Sequence, residues 1–79
     1  MIHARDDYNR IQDPQGRIPE DEPVFLLRGQ DRLAAFAIRY YAEMCKHNGA
    51  PEIAAKALAH ADRMEAWPTK KTPDLPAHL

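Results

Sequence analysis

The chain reads as a mainly α protein: an antiparallel αα-hairpin preceded by an extended N-terminal arm, associating with copies of itself. Three observations carry that reading. Apolar residues recur at helical spacing through two stretches, 32–47 and 51–66. Between them lies Asn48-Gly49-Ala50-Pro51, a left-handed stop followed by a favoured first-turn proline. The 23 residues at the start hold Pro14, Pro19, Pro23 and the acidic run Glu20-Asp21-Glu22, with no apolar period.

Size explains why self-association belongs in the reading. Seventy-nine residues make one small domain at most, and such a chain buries only roughly 60% of its unfolded surface. Cys45 is the single cysteine, which excludes an internal disulfide framework. Partners then become the natural source of stability. A net charge of −1, from 11 basic and 12 acidic residues, argues against non-specific nucleic-acid binding. No apolar run approaches the roughly 20 residues of a membrane span, and the N-terminus lacks the core of a signal peptide. A soluble cytoplasmic protein is expected.

Along the arm, residues 1–23, the anchors are Tyr8, Ile11 and Ile18, and Asp13-Pro14-Gln15-Gly16 carries β-turn chemistry. Residues 24–31 form an apolar anchor and a bend. Val24-Phe25-Leu26-Leu27 is the one unbroken block of four large apolar residues. As a strand it would have to pair with the arm or another subunit, because a lone strand leaves its backbone groups unsatisfied. An extended segment is the expected form. Gly29 permits a tight bend, and Asp31 is placed to cap the next helix through the N–H of Leu33 or Ala34.

The first helix is predicted from about Arg32 to His47, closed by Asn48 and Gly49. Leu33, Phe36, Ala37, Tyr40, Met44 and His47 fall on one stripe, and Ala34, Ile38, Tyr41 and Cys45 on the adjoining flank. So wide an apolar surface is more than one partner helix can cover. The second helix is predicted from Pro51 to Ala66 and ends at Pro68. Ile53, Ala57, His60, Met64 and Trp67 share its central stripe, widened by Ala54, Leu58 and Ala61. These alanines lower the profile and let the helices approach closely. Residues 68–79 are expected to form an extended tail.

Candidate chemistry is confined to binding. Arg32, Arg39 and Lys46 recur every seven residues, as do Lys56, Arg63 and Lys70. In a hairpin these rows can converge with Arg28 on a cleft suited to phosphate or carboxylate. The plainer reading makes them a solvated face, with Glu43 answering Arg39. Arg28 either locks the bend against Asp31 or reaches an external anion. Tyr40, Tyr41 and Trp67, with Phe25 and Phe36, either stack on a nucleobase or supply core and subunit contacts. His60 sits on an apolar stripe, as a core residue or a ligand contact.

Metal and catalytic roles find no support. Cys45 and His47, two apart on a helix, point about 200° away from each other and cannot share a metal. Cys45 reads as a small hydrophobe. There is no glycine-rich phosphate loop, no Ser/His/Asp set and no paired carboxylates at catalytic spacing. A non-enzyme without metal or cofactor is expected.

The text from Asp13 to Asp31, with Ile18-Pro19-Glu20-Asp21-Glu22-Pro23-Val24-Phe25-Leu26-Leu27-Arg28 at its centre, resembles a line found in small proteins of tailed phages and prophages. The likeness spans about residues 8–45. It implies a setting in the cytoplasm of a host cell and action by binding, either as an oligomeric sponge for nucleotide immune signals or as an inhibitor of a host protein. Two functions follow as expectations. One is sequestration of a small anionic ligand, such as a cyclic signalling nucleotide, in an oligomer cleft formed by Arg28, Arg32, Arg39, Tyr40, His60 and Trp67. The alternative is a protein–protein interaction module acting on a host protein.

Overall fold

Two helices form where the periodic stretches lie, α1 at Ala34–His47 and α2 at Pro51–Ala66. The structure, a computed structural model, describes residues 1–8 and 13–75. The expected anchor Ile11 and the tail beyond residue 75, including His78, lie outside the described residues.

Each helix boundary has a local cause. α1 starts two residues later than the spacing predicts, because Asp31 first closes a turn. Its carboxylate Oδ1 accepts the Leu33 N–H at 2.8 Å and its carbonyl accepts the Ala34 N–H at 3.1 Å. The end of α1 is a Schellman closure. Gly49 adopts φ 76°, its N–H donates to the Lys46 carbonyl at 3.2 Å, and the Ala50 N–H donates to the Cys45 carbonyl at 2.8 Å. Asn48 adds a side-chain bond from Nδ2 to the Met44 carbonyl at 2.8 Å. Pro51 then opens α2, where a missing N–H costs nothing. α2 stops at Trp67, whose extended ψ of 123° is what a residue before proline adopts.

The helices pack on each other through small side chains. Ala34, Ala35 and Ala42 of α1 are buried, as are Ala54, Ala61 and Met64 of α2, and no large side chain is fully buried among the described residues. Ala35 and Ala42 are seven apart, as are Ala54 and Ala61, so each pair lies almost directly along its helix. The seam is therefore narrow and flat.

The stripe that the spacing makes central to α1 lies outside this seam. Leu33, Phe36, Tyr40 and Met44 are 60%, 67%, 70% and 49% exposed, and Ala37 and His47 are exposed with them. The alanine face and the large apolar face sit on opposite sides of α1. Periodicity marks how much of a helix is apolar, and it does not say which part its own chain will cover.

Beyond the helices, the same unit, Leu27–Pro73, is closed by a clasp. Residues 67–71 run back to the bend before α1. The Lys71 N–H donates to the Gln30 carbonyl at 2.8 Å and the Arg32 N–H donates to the Lys71 carbonyl at 3.1 Å, an isolated parallel bridge. Lys70 Nζ donates to the Gly29 carbonyl at 2.8 Å and to the Met64 carbonyl at 2.7 Å. A cation thus caps the C-terminal end of α2, where the helix dipole favours it. The tail expected from residue 68 is tied down as far as Lys71.

The second unit holds Met1–Leu26 and the chain from Asp74. Strand β1 (Ile2–His3) pairs in parallel with β2 (Pro23–Val24), in the register Ile2 to Pro23 and His3 to Val24. Of the expected apolar anchor only Val24 enters the ladder, and its partner is the arm. The turn at Asp13–Gly16 forms, with Gly16 at φ 59°. The Gly16 N–H donates to the Asp13 carbonyl at 3.0 Å, and the Asp13 carboxylate accepts the N–H groups of Arg17 and Ile18. Arg5 forks onto Asp7 at 2.9 and 2.7 Å, lies 4.6 Å from the Tyr8 ring centroid, and donates to the Asp74 carbonyl at 2.7 Å.

Candidate functional site

The residues that sequence reasoning puts in one cleft separate into four places. Arg39 is committed within the hairpin unit. Its guanidinium donates to Glu65 Oε2 at 2.8 Å, to Glu65 Oε1 at 3.2 Å and to Asp62 Oδ1 at 3.0 Å. Hydrogen bonds to Glu65 and then Asp62 hold the guanidinium pKa above its ordinary value. The same bond from Arg39 pulls the Glu65 carboxyl below the usual carboxylate range. Glu43, expected to answer Arg39, pairs instead with Lys46 at 3.4 Å. Arg39 stands on the margin of the alanine seam, close to two carboxylates of α2, and that fork outcompetes a single carboxylate one turn along its own helix.

Tyr40 belongs to the exposed stripe of α1, with Leu33, Phe36 and Met44. Its neighbour Tyr41 has a pKa raised chiefly by a hydrogen bond with Cys45, and Cys45 is half-buried. Arg28 and Arg32 are exposed in the segment that leads into α1, and among the described residues neither forms an ion pair. The bend is held without the Arg28 side chain, since the Asp31 N–H donates to the Arg28 carbonyl at 3.0 Å and the Asp31 carboxylate serves Leu33.

His60 and Trp67 come together. With Gly29, Arg63 and Met64 they line a hollow of about 220 Å³ at the C-terminal end of α2. Both predicted residues are exposed, Trp67 by 56%. The spacing of His60, Arg63 and Trp67, three and four residues apart, was the available signal for Arg63 as a third wall. Nothing in the pattern signalled Gly29, which lies 38 positions before Trp67 and is brought there by the clasp.

A larger hollow of about 410 Å³ lies in the other unit, lined by Ile2, His3, Ala4, Pro23, Val24 and Phe25. His3 is 93% buried, and neither ring nitrogen has a hydrogen-bond partner among the described residues. The described residues contain no cluster of three or more His, Cys, Asp or Glu able to hold a metal, and no helix long and apolar enough to cross a membrane. No protein-family model, curated protein or solved structure matches the chain.

Proposed function

We propose that this chain is a non-catalytic binding protein that works as a homo-oligomer and holds a small anionic, nucleotide-like ligand next to a subunit seam. In this reading α1 and α2 form an antiparallel hairpin, the outer face of α1 meets another copy, and the protein acts in the cytoplasm of a host cell, in keeping with its likeness to small phage proteins. One observation carries it: the largest apolar side chains of α1 face outward while alanines make the internal seam. At roughly 150–250 Å² per aromatic residue, a stripe exposed to this degree presents on the order of 500 Å² of apolar surface. That is near the upper end of what monomers leave uncovered, and such patches mark interaction sites. Arg28 and Arg32, without carboxylate partners among the described residues and in the segment that leads into the same helix, supply charge for an anion at its edge. Arg39 drops out of the ligand set, because its fork is occupied by Glu65 and Asp62.

The test combines size with melting. Light scattering at micromolar concentration should give a species larger than one chain. A panel of linear and cyclic nucleotides should include one that raises Tm, by the equivalent of about 2.7 kcal/mol at a hundredfold excess over Kd. Arg28→Ala should diminish that shift. A strictly monomeric protein whose Tm no nucleotide moves overturns the proposal.

The uncharged character of the exposed stripe favours a second reading, a protein-interaction module whose partner is a host protein. It is preferred if nucleotides leave Tm unchanged and Phe36→Asp abolishes binding to a purified partner.

A further inference from the structure

We infer that the hollow lined by Gly29, His60, Arg63, Met64 and Trp67 is a subsite for one nucleobase and its phosphate, with the Trp67 indole as stacking platform and Arg63 as the phosphate contact. This inference rests on the nucleotide-binding reading above and specifies where the ligand touches this chain. The hollow joins an aromatic side chain to a cationic neighbour, Arg63. Trp67 is 56% exposed, so a ring face is open to a ligand. Arg63 is exposed and forms no ion pair among the described residues. In this it differs from Arg39, whose donors are taken. A planar base suits the indole and an anion suits the guanidinium fork. Stacking of a base on an aromatic side chain tolerates any base, because every base has a π-face.

The platform is also held in place, as a binding surface must be. Gly29 lies directly beneath Trp67: a Cβ at position 29 would stand 3.3 Å from Trp67 Cβ and 3.5 Å from Cγ. Only a residue without a side chain lets the indole settle there undisturbed. Lys70 Nζ then bonds the carbonyls of Gly29 and Met64, on either side of the same spot. Lys70, drawn by its spacing into the candidate anion row, is a positioning residue, and Arg63 is the cation that lines the hollow itself. The volume of about 220 Å³ is below the 300–1,000 Å³ of pockets that enclose a whole ligand. It matches a single base-and-phosphate portion, the remainder lying outside the hollow.

Trp67 is the only tryptophan in the chain, so fluorescence excited at the red edge of the absorption band, where the three tyrosines do not absorb, reports this site alone. The experiment titrates the full chain with AMP, cyclic di-AMP, adenosine and inorganic phosphate. AMP or cyclic di-AMP should quench Trp67 in a saturable way, and adenosine or phosphate alone should do so at least tenfold more weakly. Arg63→Gln, on the helix surface, should keep the far-UV spectrum and Tm of the parent while weakening quenching at least tenfold. Gly29→Ala, which crowds the indole, should shift the emission of the free protein and also weaken binding. Quenching that Arg63→Gln leaves unchanged overturns the subsite. So does a nucleotide that raises Tm without altering Trp67 emission, and in that case the wider nucleotide-binding reading stands. If no nucleotide moves either signal, both fail together.

Discussion

Ala42→Leu should damage this protein more than Phe36→Ala, an inversion of the order expected from side-chain size. Ala42 is 0% exposed in the seam between α1 and α2, so three added carbons have no free volume to enter. Overpacking a well-packed site costs about 1–3 kcal/mol. For a domain of this size that lowers Tm by roughly 5–20 °C. Phe36 in a core would cost about 3–5 kcal/mol on truncation. At 67% exposure it should behave as a surface residue, within about 0.5 kcal/mol in the dissociated chain. Thermal melts followed by circular dichroism over a hundredfold range of protein concentration separate the two. The Ala42→Leu loss should be the same at every concentration, whereas under the proposed self-association any Phe36→Ala loss should grow with concentration. If Phe36→Ala costs several kcal/mol at the lowest concentration and Ala42→Leu costs nothing, the outward placement of the stripe is wrong.

Three further outcomes follow. Lys70→Met removes two charge-assisted bonds to carbonyls and should cost about 1.5–3 kcal/mol, read as lower Tm and faster amide exchange at Arg32 and Lys71. His3→Leu should leave stability unchanged or raise it by about 1–3 kcal/mol, because the two buried ring nitrogens have no partner to lose; a clear fall in Tm would mean that they do. The Glu65 carboxyl is lowered on folding, so its pairing with Arg39 contributes stability above the unfolded pKa, and that contribution is lost as pH falls through the lowered folded value. A carbon-detected titration should place Glu65 below the usual range in the parent and back within it in Arg39→Gln.

Much of the architecture is written locally. Asn48, Gly49 and Pro51 act through their own backbone chemistry, so the end of α1 at His47 and the start of α2 at Pro51 can be read from three residues. Asp31 was legible as a cap for the same reason, though it closes the turn before α1. The orientation of α1 was not legible, because a helix apolar over more than half its circumference admits two seams. The small side chains won the internal one by allowing close approach. Within the candidate site, His60 and Trp67 share a helix face and could be paired by spacing alone. Gly29 and Lys70 could not, since a lysine that bonds carbonyls 41 and 6 positions away leaves no periodic trace. The fork of Arg39 on Asp62 and Glu65 was not legible either, because charge spacing says nothing of carboxylates on a neighbouring helix.

The clasp also sets how this protein would bear force. Residues 30–32 and 71 run parallel, so the chain that enters from Leu27 and the chain that leaves toward Pro73 depart from opposite ends of the bridge. Tension applied through those flanks therefore loads the two backbone bonds together, in shear, instead of peeling them one after the other. The alanine seam lies behind that lock, and it would feel the load only after the bridge and the Lys70 bonds had given way.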